Sequence, residues 1–175
     1  MNKRFMKQLS LLITFALMSF GAQSASITLD GNTATSISGL DVGGTLYDVS
    51  FQFGSWDDVG GSSVFPYNGD ASGAIAASNA INLILANAGA QSVGESAGAA
   101  YANYYVPYSY AFGGGNGAYN VYSGGNWLNP IFNGYSGNVS FATMTLQAVP
   151  IPAAVWLFGS GLALLGFAGK RRSRS

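Results

Sequence analysis

The chain has 175 residues, with 7 Lys+Arg, 7 Asp+Glu, 0 Cys and 0 His. It can form no disulfide, offers no thiol nucleophile and lacks the commonest general base and metal ligand. Its bases (Lys3, Arg4, Lys7, Lys170, Arg171, Arg172, Arg174) stand only at the two ends, and all 7 acids (Asp30, Asp41, Asp48, Asp57, Asp58, Asp70, Glu95) lie between them, so the middle carries a formal −7 and excludes binding to nucleic acid or anionic lipid through basic side chains.

The chain opens with three zones. Lys3, Arg4 and Lys7 give a positive start, residues 9–20 are an apolar run, and Ala22-Gln23-Ser24 places small residues where a signal peptidase reads. This predicts a signal peptide over 1–25, handled by the Sec machinery and cut after Ser24 or Ala25. The apolar run is too short for a membrane-spanning anchor.

Residues 26–147 suit one exported domain with a modest core. "TLYDVSFQF" alternates, with Tyr47, Val49, Phe51 and Phe53 on one face and Asp48, Ser50 and Gln52 on the other. That is a half-buried strand, preceded by a turn at Gly43-Gly44 and an earlier strand near 35–40. In "DASGAIAASNAINLILANAG" the period changes: Ala74, Ala77, Ile81, Ile84, Leu85 and Ala88 lie at helical spacing. Asp70 or Ser72 can cap its start, and Gly89 fits just past its end.

"NYYVPYSYAF" reads as a strand with Tyr104, Val106, Tyr108, Tyr110 and Phe112 on one face, and Pro107 marks it as an edge strand or interrupts its pairing. "GGGNGAYNVYSGGNW" reads as loop and short strand, its glycines serving as turns. "NVSFATMTLQ" is a last strand. The expected class is α+β: a small, mainly antiparallel β-sheet with one packed helix.

The end reads "VPIPAAVWLFGSGLALLGFAGKRRSRS". Pro150 and Pro152 suit an extended lead-in, with Pro152 in the first turn of a helix. Residues 151–169 contain no charge and, at roughly 1.5 Å per helical residue, span about 28 Å, close to a bilayer's hydrocarbon thickness. Lys170, Arg171, Arg172 and Arg174 then hold that end in the cytoplasm by the positive-inside rule. The plain alternative is a buried core helix with a solvated basic end.

This tail resembles the C-terminal sorting signal of PEP-CTERM proteins, in the variant with a VPLPAA motif. The motif positions are Val149, Pro150, Ile151, Pro152, Ala153 and Ala154, followed by Trp156, Leu157, Phe158, Gly159, Ser160, Gly161 and the basic end. The name-giving motif has Glu between its prolines, where this chain has Ile151. The resemblance covers about the last 27 residues, 148–175 forming the tail, and is specific in combining motif, span and basic cluster. It implies a processing partner, an exosortase, which removes the tail near the prolines and passes the protein from the inner membrane to the cell surface or an exopolysaccharide matrix of a Gram-negative bacterium. It implies no activity for 26–147.

For that middle the residues argue against catalysis. Asp57-Asp58 is the one adjacent acidic pair, and neighbours in a strand or turn do not face one site. Asp57, Asp58 and Asp70 with backbone carbonyls offer hard oxygen ligands to calcium, but no ligand spacing supports a site, and neither metal nor cofactor is expected. A Ser-Lys dyad is excluded because residues 26–147 hold no Lys. Aromatic faces stack on sugar rings, which makes Tyr104, Tyr108, Tyr110 and Trp127 candidates for contact with polysaccharide; the competing reading is that they form the core side of their strands. The sequence thus describes a secreted, non-enzymatic surface or matrix protein. Its alternatives are a single-pass protein that keeps its membrane anchor, and a small enzyme acting on extracellular polysaccharide.

Overall fold

The computed structural model describes residues 24–61, 64–95, 98–111 and 114–148. Residues 1–23 of the expected signal peptide and 149–175 of the sorting tail, with the 149–154 motif and the basic cluster at 170–174, lie outside the described residues, as does Phe112. Strand β1 (Ser26–Asp30) pairs antiparallel with β2 (Thr33–Val42), which turns back into β3 (Thr45–Gly54). The turn between β2 and β3 is the expected one. Gly43 and Gly44 have φ of 63° and 88°, the left-handed pair that a two-residue hairpin needs for its twist to match the strands.

Helix α1 (Ala71–Asn87) comes after a connection over 55–70. The Asp70 side chain caps it, accepting from the Gly73 amide at 2.9 Å and the Ser72 hydroxyl at 2.7 Å. It ends as predicted at Gly89, whose φ of 70° lets the Ala90 amide bond back to Leu85 O. Ala74, Ala77, Ile81 and Leu85 are fully buried against the sheet. Each buried Ile or Leu contributes about 1.5–3 kcal/mol, and the alanines let the helix approach closely. Ile84 is only partly buried, and Ser78 and Asn82 share the buried face.

The remaining strands are β4 (Ser92–Gly94), β5 (Ala100–Tyr101), β6 (Asn103–Ala111), β7 (Gly114–Ser123), β8 (Asn126–Trp127), β9 (Ile131–Ser136) and β10 (Val139–Leu146). All ten belong to one sheet ordered β5-β4-β2-β3-β10-β6-β7-β8, with β1 on β2 and β9 on β7. The class is α+β as expected, and among the described residues α1 is its one α-helix. The sheet is mixed, because β2–β4 and β10–β6 are parallel.

Two expectations are settled in detail. Of the two readings of Pro107, the interrupted pairing holds and the edge strand fails, because β6 lies between β10 and β7. Its pairing with β10 is confined to Tyr105 and Phe141, short of Pro107, whose missing N–H would break a longer ladder. A bulge between Pro107 and Ser109 also reverses the facing of the residues beyond it. Tyr104, Val106 and Tyr108 face α1, and Tyr110 faces away.

The glycine segment is the second. Gly124 and Gly125 do form a turn, with φ of 60° and 88°, but Gly114, Gly115 and Gly117 lie inside the ten-residue strand β7. There they permit close approach. A Cβ on Gly115 would collide with Ser109 O and come within 2.6 Å of the Tyr135 hydroxyl.

Hydrophobic side chains cover both faces. On the helix side Ile37, Leu40, Val49, Phe51, Tyr104, Val106, Ala142 and Met144 pack with α1. On the far side Trp56, Val59, Phe65, Tyr105, Tyr135 and Phe141 form a second cluster. Phe65 belongs to the far cluster and Tyr67 to the helix-side one, so the 55–70 connection crosses the sheet at Pro66. It does so where β10 and β6 part company. Met144 N donates to Val64 O at 2.7 Å, and Gly69 N donates to Tyr108 O at 2.6 Å, so the crossing chain takes up backbone groups that the two strands leave free.

Candidate functional site

The far face presents a run of stacked rings. Phe65 lies 4.5 Å from Trp56, and Tyr110 lies 4.8 Å from Trp56 with the planes only 8° apart. Tyr110 is 39% exposed, so part of this residue is open to solvent. Tyr135 stands edge-on to Phe141 and donates its hydroxyl proton to Ser109 O at 3.1 Å. Burial pushes the Tyr135 hydroxyl well above the usual tyrosine range, with Tyr110 adding to the shift, so it stays a neutral donor.

Together Ser55, Trp56, Tyr110, Gly114, Tyr135 and Gly137 line a cleft of about 80 Å³. This is well below the roughly 300–1,000 Å³ of pockets that enclose an organic ligand. The cleft therefore suits contact at the surface: its lining residues are three aromatics, two glycines and a serine, with no charge among them.

The four aromatics expected to meet a glycan divide. Tyr104 is fully buried under α1, and Trp127 is buried with its indole N–H donating to Ala90 O at 2.8 Å. Neither has a free face, so these two are core residues, as their alternating strand positions also allowed. Tyr108 is half-buried on the helix side, edge-on to Phe132. Tyr110 is thus the expected residue that reaches the cleft. Trp56 and Tyr135 were not expected there, because the bulge and the crossing at Pro66 bring them to Tyr110 and neither leaves a pattern in the sequence.

Four of the acids serve local structure. Asp41 accepts from the Gly44 amide at 2.7 Å, Asp48 from the Ser38 hydroxyl at 2.6 Å, and Asp58 from the Ser55 hydroxyl at 2.6 Å. Asp70 caps α1, and the Gly73 amide, with Ser72, holds its carboxyl below the usual carboxylate range. Among the described residues, no three acids gather where they could hold a metal ion. No described helix is long and apolar enough to cross a membrane.

No family model, curated protein or solved structure matches this chain.

Proposed function

We propose that this is an exported, non-enzymatic surface or exopolysaccharide-matrix protein that an exosortase sorts through its C-terminal tail. The observation that supports this reading is the position of the motif relative to the described domain. β10 ends at Leu146, Gln147 N donates to Leu46 O at 2.9 Å, and in the sequence the proline motif begins two residues later at Val149. Cleavage near Pro150 and Pro152 therefore leaves every described strand and core residue in place. The binding role rests on Tyr110, an aromatic residue left 39% exposed at the cleft, which offers a sugar ring a surface to stack on.

Intact mass of the protein recovered from the cell surface, beside a Pro152→Ala variant, tests the sorting. The expected mass lacks the signal peptide and everything after the proline motif, and the variant keeps its tail. A surface protein that retains Trp156 through Ser175 refutes the proposal and leaves a single-pass anchored protein. Tyr110→Ala then tests the binding role: retention on the host's own polysaccharide should fall, and unchanged retention removes Tyr110 from it.

A further inference from the structure

Strand β9 is an edge. It pairs with β7 on one side, and no described strand pairs its other side, so alternate N–H and C=O groups there face outward. Sheet edges of this kind are normally blunted by charge, a bulge, proline within the strand or very short length. β9 has six residues, Ile-Phe-Asn-Gly-Tyr-Ser, regular pairing throughout, and its neighbouring proline, Pro130, stands before it. Ile131 is 60% exposed and Phe132 57%, on opposite faces of the strand.

Charge singles this edge out. From Ser96 to Ala148 there is no charged residue, so β5 through β10 are neutral. The acids lie on β1, β2 and β3, in the 55–70 connection and just after β4. Two copies meeting through that acidic part would set carboxylate against carboxylate, with no Lys or Arg in 26–147 to offset them. The other edges are poorer: β1 carries Asp30, Glu95 adjoins β4, and β5 and β8 have two residues each.

From this edge we infer that β9 is a self-association strand, pairing antiparallel with β9 of a second copy about a two-fold axis. Antiparallel self-pairing puts the axis perpendicular to the sheet, so the two sheets continue into one another with both helices on the same side. Residues directly opposite each other must then share a face. An axis at Asn133 satisfies this: Ile131 packs against Tyr135 of the second copy, and Phe132 covers the bare backbone of its Gly134. This arrangement uses both exposed apolar side chains and pairs five residues of each strand, 131–135.

The chain's 0 cysteines allow a direct test. Asn133→Cys in the full chain, expressed in the exporting cell and oxidised there, would place two thiols across the axis. Opposed strand Cα atoms lie about 4.5–5.5 Å apart, within disulfide range. A covalent dimer is expected from Asn133→Cys. Exposed cysteines on β1 (Thr28→Cys) and at the end of α1 (Asn87→Cys) should form no covalent dimer. Adding Phe132→Glu to Asn133→Cys should reduce the dimer at least tenfold, because it sets like charges beside the axis. Light scattering on the exported protein should give twice the monomer mass, and Phe132→Glu should halve it. A monomeric wild type, or equal cross-linking from all three cysteines, overturns the inference. These readouts are independent of where the tail is cut.

Discussion

The hydroxyl of Tyr104 on β6 donates to Asn82 Oδ1 on α1 at 2.7 Å, beneath a fully buried ring. Asn82 passes the bond on: its amide nitrogen donates to Asn120 Oδ1 on β7 at 2.9 Å and to Leu128 O at 3.0 Å. Asn120 donates in turn to Ser78 Oγ at 3.0 Å and Ala118 O at 2.9 Å. Every member has a partner, so this buried polar cluster fixes the position of α1 on the sheet where an all-apolar face would let the helix slide.

Tyr104→Phe should therefore destabilise the domain by about 1–3 kcal/mol, because it keeps the ring but leaves Asn82 Oδ1 buried without a donor. Denaturant unfolding of the exported protein measures it. Tyr110→Phe, on the exposed ring, should stay within about 0.5 kcal/mol. Equal effects at the two positions would show that the network contributes little.

How far the sequence disclosed this fold depends on the range of the signal. Tyr47, Val49 and Phe51 alternate and are buried on one face, and Asp70 and Gly89 mark the two ends of α1, because period and capping are local. Ser78 and Asn82 broke the apolar stripe of the helix, and their meaning lies in Tyr104 and Asn120, distant in the chain. The bulge at Pro107 is likewise a product of pairing. It moved Tyr110 to the far face and so separated one legible aromatic row into a buried part and the cleft. The glycines of β7 resembled turns because a glycine in a turn and one beneath Tyr135 are the same letter.

Gly115→Ala tests the second kind of glycine. The added methyl group must displace Ser109 O or the Tyr135 ring, and overpacking of this kind costs about 1–3 kcal/mol. Gly134→Ala, with nothing closer than 3.8 Å, should fold with far less loss. Thermal unfolding of both variants gives the comparison, and a stable Gly115→Ala would show that the strands spread easily.

Phe141 is fully buried between Phe65 and Tyr135, each with ring centroids 5.2 Å away. Phe141→Ala should cost about 3–5 kcal/mol. The loss should fall first on the 55–70 connection, whose Trp56 and Phe65 pack in the same cluster. Tryptophan emission would then shift to longer wavelength before far-ultraviolet circular dichroism changes. Simultaneous loss of both signals would show that this face has no stability of its own.

The pH dependence is set by the groups that titrate. With 0 His and 0 Cys, no side chain changes charge near neutrality, and stability should be flat from about pH 5 to about pH 9. On the acid side Asp70 has a lowered pKa in the folded protein, because the Gly73 amide and Ser72 hydroxyl bond its charged form. Its contribution is complete above the ordinary Asp value, about 3.9, and is lost as pH falls through the lowered folded value. Asp70→Asn, which can still cap, should flatten that limb. On the alkaline side burial raises Tyr104, Tyr135 and Tyr67, the last two also under the influence of Tyr110 and Tyr47 respectively. Their stabilisation is complete below the ordinary Tyr value, about 10, and is lost as pH rises from there toward the folded values. Tyrosinate absorbance from these buried rings should appear together with unfolding. A melting temperature that slopes between pH 6 and 8, or tyrosinate formation at Tyr104 while the fold is intact, would contradict this assignment.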